Sequence, residues 1–261
     1  MARLKALEHS NGWIWMCAAV MYPLSHLLGR RRYVGLEKLN RPGPVLLVAN
    51  HISHLDPVYD AVMVHKAGRV PHILAKAGLW KVPVVGKALS GTHQIPVDRG
   101  GAGQSAVEAA QQYLADGGLV LIYPEGTVTR EPDFWPMRPR PGVAAMALSG
   151  DYRVVPVAHW GTQQVYNSYA EGRKLRLFPR KDIRVVVGDD IDLSAYRGKG
   201  SDPRAILEVS VLIMQTIAGM LGEIRGQTPP KQLYDWKKAE RRGGDTAAGS
   251  PVEGDATKDK K

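Results

Sequence analysis

The sequence predicts an α/β domain: a central sheet, mostly parallel or mixed, flanked by helices and led by an N-terminal interfacial helix. Three observations carry that prediction. Short apolar runs alternate with amphipathic stretches along most of the chain. Two of those runs, Val45 to Ala49 and Leu119 to Tyr123, end in clusters of polar residues, as strands do when they open onto a common mouth. A chain of 261 residues, 44% hydrophobic and 23% charged, is also long enough to bury a sizeable core.

The elements follow in order. Gly12 to Gly29 reads GWIWMCAAVMYPLSHLLG and leads into Arg30-Arg31-Arg32. Pro23, Ser25 and His26 interrupt this run, and a membrane span needs about 20 apolar residues. No Ala-x-Ala cleavage pattern precedes the arginines, which argues against a signal peptide. Trp13 and Trp15 suit a water–lipid boundary, and the flanking arginines suit anionic headgroups. An interfacial helix is therefore expected, with a helix packed on the core as the alternative.

Tyr33 to Leu39 reads as a short edge strand, and strands are expected at 44–49, 71–75, 93–98, 119–123, 153–159 and 183–187. Helices are expected at about 56–66, 104–115 and 141–149, and at 203–225. The last has Asp202 as N-cap, Pro203 in the first turn, and Ile206, Val209, Ile213 and Ile217 on one face. From Lys237 the hydrophobic rhythm stops, and the composition predicts a disordered tail. The expected organisation is a membrane-associating helix over 1–32, one domain over 33–236 and a tail over 237–261.

The formal charge is +10, from 35 basic and 25 acidic residues. Such an excess favours an anionic partner: a nucleic acid, an anionic membrane or a phosphorylated small molecule. Nucleic-acid binding lacks support, because aromatic and basic residues do not interleave and no helix-turn-helix or zinc signature occurs. Cys17 is the only cysteine, which excludes a disulfide framework and a cysteine-based zinc site and fits a reducing compartment.

The chemistry-bearing residues lie at two strand ends. Asn50-His51-Ile52-Ser53-His54-Leu55-Asp56 follows the first apolar run, and Tyr123-Pro124-Glu125-Gly126-Thr127 ends the second. Imidazole exchanges a proton near neutral pH, and a carboxylate in reach can orient it and stabilise the imidazolium. The competing structural reading makes His51 a strand cap and Asp56 a helix cap, and for an isolated pair that reading would win. His51, His54 and Asp56 also form an H-x-x-H-x-D pattern, but zinc needs further ligands and the other histidines form no ligand pair. Gly101 to Ala106 satisfies G-x-G-x-x-A, although Asp98 and Arg99 loosen the tight turn that dinucleotide binding requires. No G-x-S-x-G nucleophile elbow occurs.

Together the blocks resemble the glycerolipid acyltransferase family, and within it the 1-acylglycerol-3-phosphate acyltransferases. Asn50, His51 and Asp56 match an N-H-x4-D block, and Gly91 to Arg99 matches a second block ending in arginine. Tyr123 to Arg130 matches F-P-E-G-T-x-S-R with Tyr for Phe and Thr129 for Ser, and Val155-Pro156-Val157 matches a fourth block. The stretch around Ala75-Lys76, Leu79, Pro83 and Gly86 echoes the family's basic-apolar segment, with Gly78 where an acidic residue is usual.

The resemblance implies that His51 is the general base and Asp56 its orienting partner. It implies that Arg99, Glu125, Gly126 and Thr127 hold the acceptor's phosphate end, with Arg130 and Lys76 assisting. Glu125, itself an anion, would act by positioning Arg99 or a backbone amide. The implied reaction needs no metal and no cofactor beyond an acyl-CoA or acyl-carrier-protein thioester as co-substrate. The implied acceptor is a lysophospholipid at the cytoplasmic face of an anionic membrane, bound by a peripheral or monotopic enzyme. Another lysophospholipid or glycerol-3-phosphate as acceptor, and a zinc-dependent hydrolase, are the alternatives.

Overall fold

A computed structural model describes residues 11–98, 103–170 and 174–247. Seven strands among them form one sheet in the order β1-β7-β6-β2-β5-β3-β4. These are β1 Arg30–Val34, β2 Val45–Ala49, β3 Pro71–Lys76, β4 Ile95–Val97, β5 Leu119–Ile122, β6 Arg153–Trp160 and β7 Asp182–Val187. β2 runs parallel to both β5 and β6, and β3 runs parallel to β4 and β5. Only β6 and β7 pair antiparallel, with β1 lying parallel to β7 at the edge. The C-terminal ends of β2, β3, β4, β5 and β6 thus share one rim, and Asn50 to Asp56 and Tyr123 to Arg130 follow two of those ends.

The central strands are apolar throughout because both faces are covered. On β2, Val45, Leu47 and Ala49 join one buried cluster with Tyr59, Met63, Leu119 and Leu121. Leu46 and Val48 face the other way, into a cluster with Ala110, Leu114, Met146, Ile213 and Ile217. Helices α2 (Asp56–Lys66), α4 (Gly103–Ala115), α5 (Gly142–Ala147) and α7 (Pro203–Arg225) provide these layers. Asp202 accepts a hydrogen bond from the Arg204 amide and caps α7, as the sequence predicts. α7 is long and apolar enough to cross a membrane, yet its Val209, Ile213, Ile217 and Leu221 are buried against the sheet, as in a core helix.

Helix α1 (Gly12–Leu28) buries part of its surface against the fold and leaves the rest exposed. Ile14, Ser25 and Leu28 are buried, while Trp15, Val20 and Leu27 remain largely exposed. Asn11 caps it through the Ile14 amide and also donates to the Gly91 carbonyl.

Three expectations are corrected. The edge strand is Arg30–Val34, not Tyr33 to Leu39, because Gly35 enters the left-handed region at φ 79° and turns the chain into a 3-10 turn. The arginine triplet is therefore part of the sheet: Arg30 pairs with Asp182 at 2.9 Å, and Arg31 turns inward to the Tyr22 carbonyl at 2.7 Å. Helix α3 (Pro83–Gly91) was not expected, and Pro83 in its first turn is the signal that marks it. The tail reading fails over its first residues, where α8 (Trp236–Ala247) forms with the Asp235 side chain accepting from the Lys238 amide. The rest of that tail, 248–261, lies outside the described residues.

Candidate active site

The site is built where β2 and β5 end. Asn50 is fully buried, and its side chain continues the β2–β6 ladder past Ala49: it donates to the His159 carbonyl at 3.2 Å and accepts from the His159 amide at 2.7 Å. That clamp fixes where the chain leaves the sheet, one residue before His51. The His51 backbone is then held from both sides by the Tyr123–Arg130 block. Its N–H donates to Glu125 Oε1 at 2.9 Å, and its carbonyl accepts from the Thr129 amide at 2.7 Å.

The His51 ring stacks on Tyr123, with centroids 4.2 Å apart and planes at 16°. Its Nδ1 lies 2.9 Å from Asp56 Oδ2. Asp56 is fully buried at the start of α2, and the same oxygen accepts from the Ile52 amide at 2.7 Å and the Ser53 amide at 2.9 Å. Its other oxygen accepts from Thr162 Oγ1. Burial alone would raise the Asp56 carboxyl, but the His51 hydrogen bond, the nearby histidine charges and Thr162 outweigh it and hold the group below the ordinary carboxylate range. Asp56 therefore both caps its turn and orients His51. An ionised carboxylate only accepts, so the His51 proton sits on Nδ1 and Nε2 is left as the basic nitrogen.

Behind this pair lies a second, which the sequence reading missed. Asp60, one turn along α2, accepts from Tyr123 through Oδ2 and pairs through Oδ1 with His159 Nε2 at 2.7 Å. Asp60 and His159 are both fully buried. Desolvation lowers the His159 pKa, but the charge and hydrogen bond of Asp60 reverse this and raise it. Helical spacing from Asp56 to Asp60 was a readable signal for the carboxylate; its partner on β6 was not, since a strand position gives no hint of what lies across the sheet.

Glu125 is buried and spends both oxygens on backbone amides, His51 on one side and Met137 at 3.1 Å on the other. It thus braces the His51 turn through two backbone amides. Burial pushes its carboxyl up to about 8 despite the two amides. Gly126 takes φ 70°, and a Cβ there would lie 2.5 Å from Arg140 Nε, so the Arg140 side chain packs directly on this turn. Nothing in the sequence singles out Arg140. Thr127 Oγ1 lies 3.2 Å from the Tyr169 hydroxyl. Arg130 pairs with Glu240 of α8 and lies over the Trp236 ring at 4.3 Å, which ties it to the C-terminal helix. Lys76 is exposed at the end of β3, on the same rim. Arg99 lies outside the described residues, two positions past the end of β4.

His54 does not join His51 and Asp56. Its Nδ1 meets Ser168 Oγ at 2.5 Å, in the segment after β6, and Ser53 Oγ donates to the Tyr166 carbonyl in the same segment. Among the described residues no three His, Cys, Asp or Glu side chains gather as metal ligands.

Comparison with known proteins fits this geometry. The acyltransferase family model matches residues 30–160, which span β1 to β6 and every block described. A 1-acyl-sn-glycerol-3-phosphate acyltransferase of Bacillus subtilis is 25% identical over 178 residues, covering 67% of this chain and 80% of that protein. The chloroplastic enzyme BAT2 of Brassica napus, with the same activity in its name, is 26% identical over 156 residues; the match covers 59% of this chain but only 42% of that protein. An N-acylphosphatidylethanolamine synthase of Arabidopsis thaliana is 28% identical over 215 residues, covering 78% of this chain and 69% of that protein. The crystal structure of the acyltransferase PlsC from Thermotoga maritima shares the fold, with a TM-score of 0.64 at 17% identity over 83% of this chain and 81% of that one. With the family model spanning β1 to β6 and the site on its rim, this chain belongs to the acyltransferase family.

Proposed function

We propose that the chain transfers a fatty acyl group from an acyl thioester, on CoA or a carrier protein, to the free hydroxyl of 1-acylglycerol-3-phosphate, giving phosphatidic acid. One observation carries the mechanism: His51 Nδ1 is held 2.9 Å from a buried, ionised Asp56, which leaves Nε2 to act as base. Nε2 takes the acceptor's hydroxyl proton as the oxygen attacks the thioester carbonyl. Asp56 stabilises the imidazolium, and the tetrahedral intermediate collapses with loss of the thiolate. The imidazolium then returns its proton to the thiolate, so no group on the enzyme is consumed.

The acceptor's phosphate is met by Arg99 and the Gly126–Thr127 turn, with Arg140, packed on Gly126, as an added cation. The exposed apolar side chains of α1 support a position at a membrane surface, where such an acceptor and product would reside. A phospholipid amine as acceptor is the second reading. It is favoured by the Arabidopsis N-acylphosphatidylethanolamine synthase, whose match reaches 78% of this chain.

The test is acyl transfer from palmitoyl-CoA to 1-acylglycerol-3-phosphate and, separately, to phosphatidylethanolamine in detergent micelles, with wild type beside His51→Ala. We expect phosphatidic acid from the wild type and a loss of about a hundredfold or more in the variant. Turnover above a tenth of normal in folded His51→Ala would remove His51 as base. Product only from phosphatidylethanolamine would select the second reading.

A further inference from the structure

The chain holds only two phenylalanines, and one of them, Phe178, is 84% exposed. Beside it Leu175 is 55% exposed, and the two lie among Lys174, Arg176, Arg180 and Lys181. A large aromatic side chain left in water forgoes the gain of burial, so such a residue in an ordered segment calls for a partner. The segment is ordered by its own anchors. Leu177, between the two exposed residues, packs against the buried core. The Arg176 amide donates to the Val165 carbonyl at 2.8 Å. Arg180 Nη2 donates to the Gly29 carbonyl at 3.2 Å and to the His26 carbonyl, at the C-terminal end of α1.

Those last contacts decide the partner. They join the segment to the end of α1 that exposes Leu24 and Leu27, the last turn of an exposed apolar stripe that also holds Met16 and Val20. An apolar tip set among cations matches a bilayer: hydrocarbon and interface for Phe178 and Leu175, anionic headgroups for the basic residues. Resting on the membrane reading above, we propose that Lys174–Lys181 is a second membrane-inserting element, acting with α1 on an anionic bilayer. Chain order gives the placement a use. The residues just before it, Tyr166, Ser168 and Tyr169, touch Ser53, His54 and Thr127. A tip seated in lipid therefore presents the rim of the site to the headgroup layer from which a lysophospholipid enters.

The test uses the full chain and sedimentation with phosphatidylcholine vesicles, with and without phosphatidylglycerol. Leu175→Ser with Phe178→Ser should weaken vesicle binding by about tenfold or more. The same variant should leave transfer to a short-chain acceptor, below its micelle concentration, unchanged. Lys174→Glu with Arg176→Glu should lose only the gain due to phosphatidylglycerol. Equal vesicle binding by wild type and the Leu175/Phe178 variant would overturn the proposal while leaving α1 as the anchor. No vesicle binding by the wild type would overturn it together with the membrane reading, and the soluble assay would still report on acyl transfer. Unchanged vesicle binding with activity lost only for carrier-protein thioesters would also overturn it, and would assign the segment to an acidic carrier protein.

Discussion

Tyr123 occupies the position where the block it resembles carries Phe, and it does two separable things. Its ring stacks on His51, and its hydroxyl donates to Asp60, which in turn pairs with His159. Burial, and then the charges of Asp60 and Asp56, push its phenol well above the ordinary value, so it remains a donor at any working pH. Tyr123→Phe keeps the stacked ring and leaves one oxygen of a buried carboxylate unpaired. We expect a stability loss of about 1–3 kcal/mol by urea denaturation, with turnover close to wild type. A collapse of turnover in a folded variant would put the hydroxyl in the chemistry. At this scale the sequence was most legible where the partners are close along the chain. His51 and Asp56 lie within one turn, so spacing alone brings them together. The partners that reach this site from other elements, Thr162 on Asp56 and His159 on Asp60, were not legible, since no local pattern announces a hydrogen bond between residues about a hundred positions apart.

At the scale of elements, the turn Glu125-Gly126-Thr127 positions three things together: the brace on the His51 amide, the contact with Arg140 and the threonine facing Tyr169. It can do so because Gly126 adopts φ 70°, where an L side chain is strained. Gly126→Ala should cost about 1–2 kcal/mol from the left-handed backbone alone, and should displace Arg140, whose Nε sits 2.5 Å from the added Cβ. We expect a lowered denaturation midpoint and a raised acceptor KM, measured with 1-acylglycerol-3-phosphate; an unchanged KM would remove this turn from acceptor binding. Element by element, the apolar runs of β2, β5 and β6 were readable because buried parallel strands are continuous in hydrophobicity. β1 was misplaced because three consecutive arginines look unlike a strand. On a sheet edge they are accommodated by alternation, with Arg30 and Arg32 both directed to Asp182. The start of α8 went unread for a different reason. Its hydrophilic face hides a helix held by a cap at Asp235 and by Arg130 against Trp236 and Glu240.

At the scale of the whole molecule, the mouth at the strand ends followed from the order of strands and helices, but its electrostatics did not, because they arise from burial. Three fully buried groups give the fold opposing pH dependences. Asp56 is depressed, so its contribution is present above the ordinary aspartate value and is lost only as pH falls through its folded pKa, at the acid end. His159 is raised, so its contribution is complete below its ordinary value and is lost as pH rises through its folded pKa. Glu125 follows the same sign. Its carboxyl moves from 4.5 to about 8, so the folded protein holds a proton there that the unfolded chain has released. Stability from this group is therefore complete below 4.5 and declines until pH passes about 8. Glu125→Gln mimics the protonated form and cannot titrate, while Asp56 and His159 are common to both proteins. The difference between wild type and variant, followed by thermal melts from pH 5 to 8, then isolates Glu125. The wild type should lose stability relative to the variant steadily across that range. A flat difference would mean that the two amides of His51 and Met137 hold Glu125 ionised throughout, and that the brace under the His51 turn is a charged one.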